Sequence, residues 1–278
     1  MTIKLVFADV DLTLMGRDHV LTERNVDAIR KVRELGIPFH IQTGRLPCAV
    51  AEVLDPLGIN HRDDEYMICG NGAIVCDTNL HFYTDHYMPE ETVDQLTDYF
   101  HTVGGCIFAV VSAKVYYTSG TLLSLNRNSS KIVEEIGYEE MKKMIKTTRI
   151  YKFLVQHSDH DTLVKAGEKA AVISGGKATP VFSAADNLEI IPSGVSKAEG
   201  MKEFCEIMKV SPEDILAIGD NYNDESMIDM AGYRACPSNA VDILKEKCDY
   251  VSPYDCCHDA VADILEKMIL NKQIGESR

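Results

Sequence analysis

Asp9 and Asp11, in the stretch Asp9-Val10-Asp11-Leu12-Thr13, directly follow the apolar residues Ile3, Leu5, Val6, Phe7 and Ala8. A short apolar run bounded by acidic residues reads as a buried strand, so two carboxylates arrive where that strand ends. Side chains two apart on a strand share a face, which places Asp9 and Asp11 in the same space. Carboxylates held that close repel, and burying them is costly unless a cation or a proton is shared. This suits nucleophilic or metal-assisted chemistry, although a solvated acidic turn carries the same residues.

Three other stretches have comparable chemistry. Asp220-Asn221-Tyr222-Asn223-Asp224 follows the apolar strand Ile215 to Ile218. With a helix starting near Asn221, Asp220 and Asp224 converge across its first turn, where the helix dipole also favours negative charge; an ordinary cap and an N-terminal helix carboxylate would look alike. If both acidic clusters meet at one sheet edge, their oxygen-only ligands suit Mg²⁺, a hard ion that keeps waters and binds phosphate oxygens. Lys197, in Ser196-Lys197-Ala198-Glu199, stands in a first helical turn where its charge opposes the dipole. A bound anion would offset that cost, and so would plain solvation. Thr43-Gly44-Arg45 ends another apolar run, and a threonine hydroxyl with exposed backbone N–H groups suits phosphate oxygens as well as an ordinary turn.

The elements that must position these residues alternate. After the first strand, Thr22 can cap a helix whose apolar face is Val26, Ile29, Val32 and Leu35, with Gly36 as its stop. Ile37 to Gln42 reads as a strand. A second helix then begins near Pro47, carries Val50, Val53, Leu54 and Leu57, and stops at Gly58. Strand, helix, strand, helix predicts right-handed crossovers and a parallel sheet with ligands beyond its carboxyl edge. Tyr66 to Cys69 and Ala73 to Cys76 flank the turn signal Asn71-Gly72.

The pattern changes near residue 85. A helix from Pro89, a hairpin over Cys106 to Thr118, a charged helix from Ile132 to Lys146, a strand from Ile150 to Gln156, a helix from Asp159 to Ile173 and two more strands make residues 85–191 an inserted α+β domain. Residues 1–84 and 192–278 form the α/β part, whose alternation resumes with helices near Ser196, after Asp224, over Val241 to Lys247 and from His258 to Leu270.

Composition narrows the partners. With 43 Asp+Glu against 28 Lys+Arg, the net charge of −15 argues against a nucleic-acid or anionic-membrane binder. The nine cysteines lack paired zinc-site spacings, and only Cys256-Cys257 are adjacent. They read as reduced thiols in a cytoplasmic protein. Neither a signal peptide nor a transmembrane helix is expected.

A carboxylate pair, a hydroxyl, a lysine and a second acidic pair, in that order at successive strand ends, resemble the haloacid dehalogenase (HAD) superfamily of phosphatases. The sequence looks specifically like the Cof-type members of that superfamily, with a class IIB α/β cap. Asp9 to Thr13 is similar to the first motif, Thr43-Gly44-Arg45 to the second, Lys197 to the third, and Gly219-Asp220 through Asn223-Asp224 to the fourth. The resemblance implies a Rossmann-like parallel-sheet core of 1–84 and 192–278, capped by a specificity domain of 85–191. It implies Mg²⁺-dependent hydrolysis of a small phosphomonoester, a sugar phosphate foremost, through an aspartyl-phosphate on Asp9. Asp11 would be the acid and base, and Thr43, Gly44 and Lys197 would hold the phosphoryl group. Asp9, Asp11 (through its carbonyl), Asp220 and Asp224 would hold the metal, with Asn223 and Arg45 in support. Asn71-Gly72-Ala73 and Ser238-Asn239-Ala240 also resemble family segments. Arg127, Lys131, Arg149 and Lys152 are candidate leaving-group contacts. Leu12 departs from the usual glycine, so a turn needing positive φ would be strained there. Ala235-Cys236-Pro237 and Asp255-Cys256-Cys257-His258 also differ from the usual glycine-containing patterns.

A phosphomutase or phosphotransferase would share every core residue. A phospho-accepting receiver domain uses similar groups but lacks such an insertion and is about half this length. A metal-binding D-x-D glycosyltransferase leaves Lys197 and the Asp220/Asp224 pair unexplained.

Overall fold

The computed structural model describes residues 2–121, 133–184 and 186–271. In chain order the first elements are β1 (Leu5–Ala8), α1 (Glu23–Glu34), β2 (Phe39–Gln42), α2 (Ala51–Leu57), β3 (Tyr66–Cys69), β4 (Ile74–Asp77) and β5 (Phe82–Asp85). Next come α3 (Glu90–Thr102), β6 (Ile107–Val111), β7 (Tyr116–Thr118), β8 (Val133–Glu135), α4 (Tyr138–Met144), β9 (Lys152–Gln156), α5 (His160–Ile173), β10 (Ala178–Ala184) and β11 (Asn187–Pro192). The chain ends with α6 (Lys197–Met208), β12 (Ile215–Ile218), α7 (Glu225–Met230), β13 (Tyr233–Cys236), α8 (Asp242–Lys247), β14 (Tyr250–Val251) and α9 (Ala260–Leu265). No helix among the described residues is long and apolar enough to cross a membrane.

Two compact units result: Met1–Gly44 with Val53–Thr84 and Ser196–Arg278, and Arg45–Glu52 with Asp85–Val195. The first is built on an eight-stranded sheet of order β14-β13-β12-β1-β2-β3-β4-β5, parallel from β14 through β3. Because the chain steps one way from β1 to β2 and the other way from β12 to β13, right-handed crossovers put α1 and α7 on opposite faces. One face buries Leu5, Phe7, Ile215 and Ala217 against Met201 and Phe204 of α6 and Met227 and Ile228 of α7. The second unit is a six-stranded sheet of order β10-β11-β9-β6-β7-β8. Alternate residues Phe108, Val110, Phe153, Val155, Leu188 and Ile190 face one side, where they cluster with Leu96 and Phe100 of α3 and Leu163 of α5.

Several local expectations are corrected. Thr22 does cap α1, accepting from the Asn25 N–H, but the buried face is Asn25, Ala28, Ile29 and Val32, while Leu35 is exposed. A polar residue enters that face because its groups are satisfied: the Asn25 amide donates to the Leu14 carbonyl (3.3 Å) and accepts from the Ala262 N–H (2.8 Å). The charged helix expected over 132–146 is instead β8 followed by the short α4. Three residues pairing in parallel with β7 outweigh their weak strand propensity, and Ile132 itself lies outside the described residues.

His40 sits in the first core among Phe7, Tyr66 and Phe204, with ring centroids 5.5–5.7 Å away. Burial, aided by Arg33, holds its pKa at about 3. The native imidazole therefore stays neutral while the unfolded one takes a proton below its ordinary pKa of about 6.5, so stability is lost as pH falls from there toward about 3. By pH 5 the loss from this group amounts to about 2 kcal/mol. Replacing His40 with leucine is expected to shrink the difference in unfolding free energy between pH 7 and pH 5 by about that amount, measurable by urea titration at both pH values.

Candidate active site

The parallel order β12-β1-β2, with Ala8 level with both Ile218 and Ile41, brings three strand ends side by side. The residues just beyond them are Asp9, Thr43 and Gly219-Asp220. The Asp9 N–H donates to the Ile218 carbonyl and the Thr43 N–H to the Ile68 carbonyl (both 2.9 Å), so the backbone leaves the sheet in register.

Lys197 reaches this edge from the start of α6. Ser196 caps that helix by accepting from the Glu199 N–H (3.2 Å). The lysine side chain is fully buried; its Nζ lies 2.5 Å from Asp9 Oδ1 and also donates to Asp224 Oδ1. A cation that opposes the helix dipole is thus held by two carboxylates of the protein itself. The other Asp224 oxygen accepts from the backbone N–H groups of Asp220 (2.9 Å) and Asn221 (3.0 Å), closing a capping box before α7. Asp220 accepts a 2.6 Å hydrogen bond from the Thr13 hydroxyl.

Asp9, Asp220 and Asp224, all buried, bring one oxygen each within 4.8 Å of the others. Three carboxylates against one ammonium leave an excess of negative charge in a poorly solvated place. Burial pushes Asp9 well above the usual carboxylate range, against the pull of Lys197. Asp220 rises to about 6, again mainly through burial, with the Thr13 hydroxyl opposing and Asp224 adding. For Lys197, burial disfavours the charged form, but Asp224 and Asp9 outweigh it and raise its pKa.

Asp11 is not among the three converging carboxylates, although its charge is felt by Asp220. The Asp11 side chain is 47% exposed, with Oδ1 3.9 Å from His19 Nδ1. The expectation of a shared face fails because β1 stops at Ala8 and the chain then coils. Leu14 and Met15 both donate to the Val10 carbonyl, and Leu12 donates to Met15 with φ at 63°. The strain expected at Leu12 is therefore present, in a turn whose Leu12 carbonyl is held by Asn239 Nδ2 (2.9 Å).

Thr43 is buried beside the cluster's sheet edge. A Cβ on Gly44 would lie 3.0 Å from Asn71 Oδ1, and that oxygen accepts from Asn223 Nδ2 (3.1 Å), so Gly44, Asn71 and Asn223 stand together. The Arg45 guanidinium pairs with Glu52 and donates to the Ala49 carbonyl (3.2 Å). In the second unit Lys152 pairs with Glu189 (3.0 Å), and Arg149 pairs with Asp85 while lying 4.9 Å from the Tyr87 ring centre. Arg127 and Lys131 lie outside the described residues.

Sequence reasoning missed the residues that hold these groups. Thr13 lay inside the first motif without a role. Gln42 Nε2 donates to the Lys197 carbonyl, and Gly72 abuts Gly200, where a Cβ would meet Gly72 Cα at 2.6 Å. Only the i+3 spacing from Lys197 hinted that Gly200 faces inward. Gly200→Ala is expected to push α6 off the 70–72 loop, costing about 1–3 kcal/mol in thermal unfolding.

A model of the haloacid dehalogenase-like hydrolases matches residues 6–265. The chain belongs to that family. The 5-amino-6-(5-phospho-D-ribitylamino)uracil phosphatase of Bacillus subtilis is 27% identical, over 90% of this chain and 92% of its own. A haloacid dehalogenase-like hydrolase structure from Bacteroides thetaiotaomicron shares the fold at a TM-score of 0.87, with 23% identity, 96% of this chain covered and 100% of that one. A sugar phosphatase structure of HAD subclass IIB aligns at 0.76, with 17% identity over 98% and 99% of the two chains. This HAD chain thus has the Rossmann-like parallel-sheet fold with an α/β cap shared by that superfamily.

Proposed function

We propose that this HAD hydrolase is a Mg²⁺-dependent phosphatase that cleaves a small phosphomonoester through an aspartyl-phosphate on Asp9. The observation that carries the reading is the buried Lys197 joined to Asp9 and Asp224, with Asp220 beside them. It supports the reading because a buried carboxylate is held at a strand end in surplus negative charge, as a nucleophile that works with a cation requires.

The donor set fits the metal. Asp9, Asp220 and Asp224 offer hard oxygens only, and burial raises Asp9 and Asp220, as expected of carboxylates awaiting a cation. These three, with the Asp11 carbonyl, would hold Mg²⁺, which when bound supplies the positive charge that lets an anionic nucleophile approach an anionic phosphate. The Asp9 carboxylate attacks phosphorus. Asp11, solvent-facing on the turn, donates a proton to the leaving oxygen and then takes one from the water that frees Asp9. The Lys197 ammonium, the Thr43 hydroxyl and the Gly44 N–H bind the transferred oxygens, the electrostatic part on which phosphoryl transfer mostly depends. Asn223, bonded to Asn71, steadies the fourth motif.

For the substrate, a sugar or sugar-like phosphate is the first choice. The Bacillus relative is named for a phosphoribityl compound and the subclass IIB neighbour is a sugar phosphatase. The test is inorganic phosphate release from sugar, nucleotide and cofactor phosphates with and without Mg²⁺. Metal-dependent release is expected. Release that ignores the metal, or a product in which phosphate has moved to a second hydroxyl instead of water, would overturn the reading.

Thr13 gives a finer test. Its hydroxyl donates to Asp220 (2.6 Å), and Thr13→Val removes that bond. The Mg²⁺ concentration that half-saturates phosphate release is expected to rise about 10- to 100-fold, with little change in turnover at saturating metal.

A further inference from the structure

Outside the three buried aspartates, Asp255, Cys256 and Cys257 also converge among the described residues. Their two sulfurs and a carboxylate oxygen all lie within 4.8 Å of one another. The sulfurs stand 3.9 Å apart. Two thiolates bound to one tetrahedral zinc at about 2.3 Å each are about 3.8 Å apart, so the pair already has the spacing of a metal edge. A disulfide would require about 2 Å.

The surroundings hold the ligands in place. Asp255 Oδ1 is 2.7 Å from His258 Nδ1 and accepts from the Cys257 N–H (2.9 Å), a carboxylate–histidine pairing of the kind that orients metal ligands. The Cys256 N–H donates to Asn239 Oδ1 (2.8 Å). Cys256 is buried while Cys257 is exposed and borders an open cleft of about 540 Å³ that Glu23, Arg24 and Asp259 also line, so an ion can enter from solvent.

The same segment touches the turn after Asp9 at two points. Asn239 bridges the Cys256 N–H and the Leu12 carbonyl, and the Cys257 sulfur lies where a Cβ on Gly16 would come within 2.4 Å.

We propose that Asp255, Cys256 and Cys257 form a second cation site, for a thiophilic divalent ion of the zinc class, anchored on the turn that follows Asp9. Its ligand set shares no residue with the oxygen site, and sulfur selects a softer ion than Mg²⁺. It stands whether or not the phosphatase reading does.

Cadmium is the probe, titrated into the reduced protein with Mg²⁺ in excess, because a thiolate-to-cadmium charge-transfer band reports sulfur ligation and is silent for oxygen sites. One equivalent is expected to saturate the band. Cys257→Ser, at an exposed position, should halve its intensity and weaken binding at least about tenfold. Asp255→Asn should weaken binding while keeping the band. The nearby thiols Cys236 and Cys248, which share a hydrogen bond, are the control. A band unchanged in Cys257→Ser, or one lost in Cys248→Ser, would overturn the proposal.

Discussion

Asp9→Asn is expected to lower phosphate release by at least about 10,000-fold, the scale of losing a covalent nucleophile, while the protein stays folded. The sign of the stability change separates this account from a merely structural aspartate. Asp9 is one of three buried carboxylates around a single ammonium, and burial already raises its pKa. Neutralising it relieves repulsion from Asp220 and Asp224 and spares the cost of desolvating a charge. Lys197 keeps Asp224 as its partner. Without Mg²⁺, the unfolding free energy of the variant should therefore equal that of the wild type or exceed it by about 1 kcal/mol. The stabilisation that Mg²⁺ confers on the wild type should shrink, because one ligand has lost its charge. Thermal melting of both proteins with and without Mg²⁺ measures each quantity.

Lys197→Met should behave in the opposite way. The methionine fills a similar volume but leaves Asp9 and Asp224 without their shared cation in a fully buried place. Removing one partner of a buried ion pair costs about 3–5 kcal/mol, and here two carboxylates are stranded. The loss should be largest at neutral pH without Mg²⁺ and smaller in acid, where Asp9 and Asp220, whose pKa values burial raises, take up protons. Turnover should fall about 100- to 1,000-fold, the usual effect of deleting one group that stabilises transferred charge. Urea unfolding at pH 5 and pH 7, with phosphate release at saturating Mg²⁺, tests both parts. A stable, Mg²⁺-insensitive Lys197→Met protein would contradict the assignment.

These two residues were legible in the sequence for physical reasons. Asp9 follows an apolar run whose strand character is strong, and Lys197 stands in a first helical turn, where its charge is out of place. Asp220 and Asp224 followed from the same strand-end logic. Thr22, read as a cap, does cap its helix, and the helix starts read near Ser196 and at Asp159 turn out to be capped by those residues.

What escaped reading depends on turns and on close approach, which periodicity does not encode. Asp11 was placed beside Asp9 by strand alternation, but alternation ends where β1 ends, and the coil around Leu12 turns Asp11 toward solvent. Arg45 neighbours Gly44 in sequence, and its ties to Glu52 and the Ala49 carbonyl belong to a turn that no periodicity marks. Gly72 and Gly200 meet across 128 positions of chain, and beyond the spacing of Gly200 from Lys197 nothing local marks them as the gap that lets α6 bring Lys197 to the sheet edge. Asn25 is polar by type and buried in fact, because its amide partners come from Leu14 and Ala262, distant from it in sequence.

The most direct measurement is the mass of the Asp9-containing peptide after rapid acid quench during turnover of a phosphomonoester in the presence of Mg²⁺. The mechanism predicts one added phosphoryl group on Asp9, accumulating further in Asp11→Asn, where the water that frees it loses its base. Phosphate released with Asp9 unmodified at every quench time, in both proteins, would mean that water attacks the substrate directly and would contradict the assignment of Asp9 as nucleophile.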